Sequence, residues 1–279
     1  MREPTIRTMT RADLNLVLRW AEAEGWNPGL ADAAAFLTAD PEGFLVADIG
    51  DEPAASLSIV RFGDATAFLG LYICGPEHRG QGIGHALWRT GMERLAPRST
   101  GLDGVPAQQA NYIRAGFVAS HPNYRFTGPL NPAGGDTTQP LTPDRLDAAL
   151  DLDRSVTGYD RTAFMREWLR GDTDRTARIF LRDGRTAALG VLRPCVTGYK
   201  IGPLLAEDRA GAEAMLDGLA HVADGASVSV DMPAPNAVAM AMAAARGWTA
   251  SFETARMWRG PAPAQDLART FGVATLELG

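Results

Sequence analysis

The sequence predicts an α/β chain built as two tandem domains, each a mixed sheet flanked by helices. Three observations predict it. The 279 residues suffice for two domains of ordinary size. Strand-like apolar runs alternate with helical patterns in both halves, as a sheet with helices on its two faces requires. The two halves also repeat one another in order and spacing, which points to duplication of one unit.

In the first half an amphipathic helix runs from Asp13 to Glu24. A three-strand meander follows: Phe44-Leu45-Val46-Ala47, a turn at Asp51-Glu52, then Ala54 to Arg61, then Thr66 to Cys74. After a glycine-rich loop, Leu87, Trp88, Met92 and Leu95 recur at helix-face spacing. A strand at Gly101 to Asp103, a shorter helix and terminal strands complete the unit. The stretch from Gly128 to Pro143 has linker composition, so the domains are placed at 1–130 and 140–279 with a linker at about 131–139. In the second half Arg178-Ile179-Phe180-Leu181, Asp183-Gly184 and Thr186 to Arg193 repeat the hairpin. Tyr72-Ile73-Cys74-Gly75-Pro76 answers to Tyr199-Lys200-Ile201-Gly202-Pro203, and Asp103 to Asp231. Gly116-Phe117 answers to Gly247-Trp248, and Gly128-Pro129 to Gly260-Pro261.

The run Arg79-Gly80-Gln81-Gly82-Ile83-Gly84 carries the chemistry. Glycines let the backbone approach a ligand without a Cβ in the way. A helix start then aims free N–H groups and a partial positive charge at an anion such as a pyrophosphate. The spacing excludes a P-loop, because Gly75 and Gly80 are followed by Gln81 where a lysine is required. It also excludes the dinucleotide fingerprint G-x-G-x-x-G/A, whose last position holds His85 in one frame and Leu87 in the other. The pattern R-x-x-G-x-G is complete at Arg79, Gly82 and Gly84.

That pattern resembles the coenzyme A pyrophosphate loop of the GNAT N-acetyltransferase superfamily. Pro76 stands where a proline is usual, and Tyr112-Ile113-Arg114-Ala115-Gly116-Phe117 resembles the family's Y-x-x-x-G-F. Gly101 to Gln109 is similar to the tandem bacterial members with a degenerate second copy. The resemblance covers nearly the whole chain and implies a mostly antiparallel sheet in each domain. It implies acetyl-CoA as co-substrate, with the backbone of Tyr72, Ile73 and Cys74 pairing with the pantetheine arm. Arg79, Gly80, Gln81, Gly82, Ile83, Gly84 and His85 would then hold the pyrophosphate. The implied activity is transfer of an acetyl group to a primary amine, on a small molecule or an exposed amino group.

The chain departs from the family in three places. The usual asparagine upstream of the tyrosine is missing, since Val105 and Pro106 occupy that stretch. The fourth strand, Thr66 to Cys74, carries no acid to act as base. In the second copy Glu213 stands where Gly84 stands, and a carboxylate there repels a pyrophosphate. That copy keeps Asn236 and Ala239 but has Ala243 in place of the tyrosine, so it is expected not to acetylate.

Three tasks remain for the first half. A backbone N–H at Tyr72 to Cys74 is a candidate donor to the carbonyl oxygen. An amine of ordinary pKa, ~10.4 for a lysine, needs a base near neutral pH. Asp103 is the candidate; a turn-making aspartate before Gly104 and an amine anchor are its other readings. Tyr112 is the candidate proton donor to the leaving thiolate, with a core aromatic as the other reading. Cys74 reads as a small core residue, because no basic partner that would lower its pKa is visible except His78 in the turn.

Composition limits the alternatives. A net charge of −6 argues against nucleic-acid binding and is compatible with a cationic, amine-bearing substrate. Four histidines and two cysteines show no metal-ligand spacing and no disulfide framework, so no metal is expected. Met1-Arg2-Glu3-Pro4 does not open a signal peptide, and no apolar run is long enough for a membrane span. A cytoplasmic enzyme without membrane partners is expected. The oligomeric state, a homodimer included, and the identity of the acceptor stay open. A non-catalytic acyl-CoA sensor and a protein-binding module are the alternatives to the enzyme; the module leaves the loop unexplained.

Overall fold

The computed structural model describes residues 3–170 and 174–279. The first half contains β1 (Thr5–Thr8), α1 (Arg11–Ala23), α2 (Asp32–Ala39), β2 (Phe44–Ile49), β3 (Glu52–Phe62), β4 (Thr66–Cys74), α3 (Ile83–Leu95), β5 (Ser99–Gly104), α4 (Pro106–Arg114) and β6 (Val118–Pro129). The second half contains β7 (Gln139–Pro140), α5 (Leu146–Thr157), α6 (Thr162–Trp168), β8 (Thr176–Arg182), β9 (Arg185–Pro194), β10 (Tyr199–Ala206), α7 (Arg209–Ala223), β11 (Ser227–Pro233), α8 (Ala237–Ala245), β12 (Thr249–Arg259) and β13 (Thr270–Gly272). Local signals start these elements. Thr10 and Asp13 form a reciprocal capping box ahead of α1. Pro106 sits in the first turn of α4, where a missing N–H costs nothing.

The strands of both halves form one sheet in the order β1-β2-β3-β4-β5-β12-β6-β11-β10-β9-β8-β7, with β13 paired to β10. Pairing is antiparallel except between β4 and β5 and between β10 and β11. Those two parallel pairs need crossover connections, which α3 and α7 supply. The order also reveals an exchange. β12 of the second half lies between β5 and β6 of the first, and β6 pairs in turn with β11. The boundary at 131–139 therefore divides the sequence but not the sheet. Repeat spacing along a chain carries no information about which copy's strand closes which edge.

Side chains alternate across the sheet. Phe44 and Val46 face a core shared with α1, α2, α5 and α6 of both halves. Leu45 and Ala47 face a separate core under α3 and α4. A third core lies under α7 and α8. Across the shared core Phe36 of α2 stacks on Trp168 of α6 at 6.2 Å between centroids. Burial of such rings contributes roughly 2–3 kcal/mol each.

Two buried ion pairs fasten the exchanged strands. Arg256 of β12 stands opposite Asp103 of β5 and binds both its oxygens at 2.9 and 2.8 Å. Arg125 of β6 stands opposite Asp231 of β11 and does the same at 2.7 and 2.9 Å. The repeat is thus visible in side-chain chemistry as well as in backbone. A third buried cluster joins Asp32 of α2 to Arg193 of β9 and Arg175, pinning the first half's helices to the second half's sheet. Asp231→Ala leaves the Arg125 guanidinium buried without its carboxylate and is expected to destabilise the protein by about 3–5 kcal/mol in denaturant unfolding. A loss below ~1 kcal/mol would show that the exchanged strands are held by their backbone ladders alone.

Candidate active site

The site begins where β4 and β5 part. The two strands pair only from Thr66–Leu69 to Ser99–Leu102. Just beyond, the β3–β4 register shifts, and Leu71 adopts φ +46°, a left-handed conformation rare for a branched residue. Ser56 holds this bulge by donating its hydroxyl to the Leu71 carbonyl at 2.7 Å. The bulge turns Tyr72 to Cys74 away from β5 and opens a gap in the sheet.

The glycine-rich loop crosses one mouth of that gap. Gly80 and Gly82 have φ of +73° and +81°, so other residues would be strained there even though space is open. Gly82 precedes α3 without any side-chain cap, leaving the first N–H groups of the helix facing outward. Gly84 lies under Tyr72, whose hydroxyl would be 3.0 Å from a Cβ at that position. Arg79 donates to the Cys74 carbonyl at 3.0 Å and pairs with Glu24 at 2.5 Å. Gln81 is held by its bond to the Glu77 carbonyl at 2.8 Å, and His85 is exposed on the first turn of α3. The predicted loop residues are therefore gathered around one uncapped helix start.

Two hollows meet beneath this loop. An open trough outside the sheet is bordered by Tyr72, His85, Trp88, Gln108 and Tyr112. A narrow pocket lies inward of it, bordered by Tyr72, Asp103, Gln108, Tyr112, Phe252 and Glu277. Tyr72, Gln108 and Tyr112 border both. Trp88 sets the two tyrosine rings, at 5.4 Å from Tyr72 and 5.6 Å from Tyr112. Burial pushes the Tyr72 hydroxyl up to about 12, and that of Tyr112 higher still. Both hydroxyls therefore keep their protons at neutral pH and can donate them. Burial also raises the Cys74 thiol, as for a small packing residue rather than a thiolate nucleophile.

Asp103 stands in the cavity wall with its side chain wholly buried. Its oxygens accept from Arg256 and, at 2.8 Å, from Asn123. Burial lifts its carboxyl above the ordinary range against the pull of Arg256. Asp231 makes the matching pair in the other half, so this aspartate's counterpart persists where the tyrosine does not.

Much of the inner wall was not foreseen from the sequence. Trp26, Arg125, Phe252, Thr254 and Glu277 reach the cavity from the α1–α2 loop, the exchanged strands and the tail after β13. The tail had one signal: after Gly260-Pro261 it has no counterpart in the first half. It runs along the β4 bulge so closely that a Cβ at Gly70 would collide with the Glu277 carbonyl.

The second half shows the same architecture closed up. The first turn of α7 is capped by Asp208, which accepts from the Gly211 N–H at 2.9 Å and pairs with Arg182. β13 pairs with β10 at Leu204 and Leu205, the counterpart of the stretch where β4 stands free of β5. Tyr199 to Ile201, which pair with β11, therefore answer to the paired start of β4 and not to Tyr72-Ile73-Cys74, because a bulge between Ile201 and Leu204 shifts the register. Counted from the helix caps Gly82 and Asp208, the residue opposite Gly84 is Ala210 and not Glu213. Among the described residues no group of three His, Cys, Asp or Glu side chains is placed to hold a metal, and no helix is long and apolar enough to cross a membrane.

Residues 12–123 match the Acetyltransferase (GNAT) family and residues 149–272 match an Acetyltransferase (GNAT) domain. The chain belongs to the GNAT acetyltransferase family. It is 34% identical over 278 residues to the holothin acyltransferase of Pseudoalteromonas sp. (strain SANK 73390), covering 99% of this chain and 94% of that protein. A putative acetyltransferase from Pyrococcus horikoshii shares the fold with a TM-score of 0.82 at 20% identity, over 100% of this chain and 97% of that one. A tandem GNAT protein from the clavulanic acid biosynthesis pathway gives a TM-score of 0.64 at 18% identity, over 93% and 99%. Members of the GNAT family generally bind acetyl-CoA or another acyl-CoA. Calorimetric titration of this GNAT protein with acetyl-CoA is expected to fill one site per chain. A stoichiometry of two would mean that β13 leaves β10 and α7 exchanges its cap.

Proposed function

We propose that the protein transfers the acetyl group of acetyl-CoA to a primary amine of a small molecule. The observation that carries this reading is that Tyr72, Gln108 and Tyr112 stand between an open trough and a narrower inner pocket. A donor lying in the trough, with its pyrophosphate on α3, would present its thioester to an acceptor in the cavity. The likeness to a holothin acyltransferase along nearly the whole chain supports a small-molecule acceptor over a peptide amino group.

In this reading the backbone of the β4 bulge donates to the carbonyl oxygen as charge develops there. Tyr112, kept protonated by burial, gives its proton to the departing thiolate and is restored by the second proton of the new amide nitrogen. We assign Asp103 to the cavity wall, where its pair with Arg256 fixes β12 and so the position of Thr254 and Phe252. The Thr254 hydroxyl is buried and has no hydrogen-bond partner among the described residues, so an acceptor atom in the cavity would satisfy it.

Release of CoA thiol from acetyl-CoA in the presence of pooled small primary amines tests the function, and absence of release with every pool would overturn it. Gly82→Glu is expected to abolish acetyl-CoA binding measured by calorimetry, because it puts a carboxylate beside the pyrophosphate and strains a left-handed position. Tyr112→Phe is expected to lower kcat by on the order of 10²-fold while leaving acetyl-CoA affinity within about twofold. An unchanged kcat would reduce the hydroxyl to packing.

A further inference from the structure

We propose that Glu277, carried to the β4 bulge by the tail that follows β13, is the base that takes the proton from the acceptor's ammonium group. This rests on the functional reading above and supplies the carboxylate that β4 lacks. The geometry supports it in three ways. Glu277 borders the same pocket as Tyr72 and Tyr112. Its backbone lies against Gly70, one residue before the bulge that opens the thioester gap. It is 7% exposed, yet among the described residues the hydrogen bond that reaches its carboxylate comes from the Thr275 hydroxyl of its own segment. A carboxylate so deeply buried is ordinarily locked into a pair, as Asp103, Asp153 and Asp231 are here. Glu277 instead has charged groups around it at longer range, and it belongs to the wall of the pocket.

Those surroundings suit a base. Lys200 of β10, Arg193 of β9 and Arg125 of β6 favour its ionised form, while Asp32 of α2 opposes it. Burial outweighs them and raises the carboxyl above the ordinary glutamate range, toward the pH at which proton transfer from an amine is most effective. Lys200 is itself pushed down to about 8 by burial, and its Nζ is committed to the Trp26 carbonyl at 2.8 Å. Tyr72, Tyr112 and Asp103 face the cavity from β4, α4 and β5. The step balances without any further reagent. An N–H bond of the acceptor ammonium breaks and its proton passes to a Glu277 carboxylate oxygen. The freed lone pair forms the C–N bond at the thioester carbonyl, and the C–S bond breaks. The thiolate takes the Tyr112 proton, the nitrogen's second proton restores the tyrosine, and Glu277 loses its proton to solvent.

The test compares wild-type protein with Glu277→Gln and Glu277→Asp, using acetyl-CoA and whichever primary amine releases thiol fastest. Glu277→Gln is expected to lower kcat about 10²-fold or more. It should also erase the acid limb of kcat/KM, with acetyl-CoA affinity held within about twofold of wild type. Glu277→Asp keeps the charge on a shorter arm, so it should retain the acid limb at a reduced kcat. A Gln variant with wild-type kcat and an intact acid limb overturns the assignment. So does a Gln variant that loses acetyl-CoA affinity in parallel, because that makes the residue a support for the fold. A wild-type protein that releases no thiol with any amine defeats the functional reading as well, whereas an active wild type beside an equally active Gln variant defeats Glu277 alone.

Discussion

The exchange of β6 and β12 is the constraint on which the rest of the structure depends. Each half lends its last long strand to the other, and each loan is fastened by an arginine on the lent strand and an aspartate on the receiving one. Such pairs gain little over an apolar equivalent, but removing one partner strands a charge in the interior. Arg256 and Arg125 therefore fix register more than they add stability. A one-residue slip of β12 would carry Thr254 and Phe252 out of the cavity and turn their neighbours inward. The inner wall of the site thus exists only while both halves are folded together.

Duplication explains why the two halves look alike, and the structure shows how they came to differ. In each, a parallel strand pair parts at a bulge beside a helix start. In the first half the gap opens on a trough, and α3 presents N–H groups without a cap. In the second half the protein fills both positions itself: Asp208 takes the place of an anion at α7, and β13 takes the free edge of β10. That packing directs the following tail toward the first half, where Gly70 has no side chain to obstruct it.

The sequence made much of this legible, because the relevant signals are local. Gly80, Gly82 and Gly84 sit where backbone conformation or close approach demands them, and Tyr112 falls on α4 by helical spacing. The pairing of Asp103 with Asp231 across the repeat was also readable, although the arginines that meet them were not. Arg125 and Arg256 lie at sequence separations of 106 and 153 from their aspartates, and no pattern within a window connects residues so far apart. The Leu71 bulge is hidden for a different reason. A branched residue at positive φ runs against local preference, and only the surrounding ladder imposes it. Glu277 gave no motif at all; its significance comes from where the tail is laid, which tertiary packing decides.

The strand exchange bears on how the chain is made. Synthesis proceeds from the amino terminus, and β5 leaves the ribosome long before the strand that will lie against it. Until β12 emerges, 153 residues separate Asp103 from Arg256, and the nascent first half carries an unsatisfied edge in its middle rather than at its rim. Contacts so distant in sequence close slowly, since the entropy of the intervening loop is lost before the ladder forms. Gene truncation or splitting at the linker would meet the same obstacle permanently. The second copy supplies the strand without which the first cannot finish its sheet.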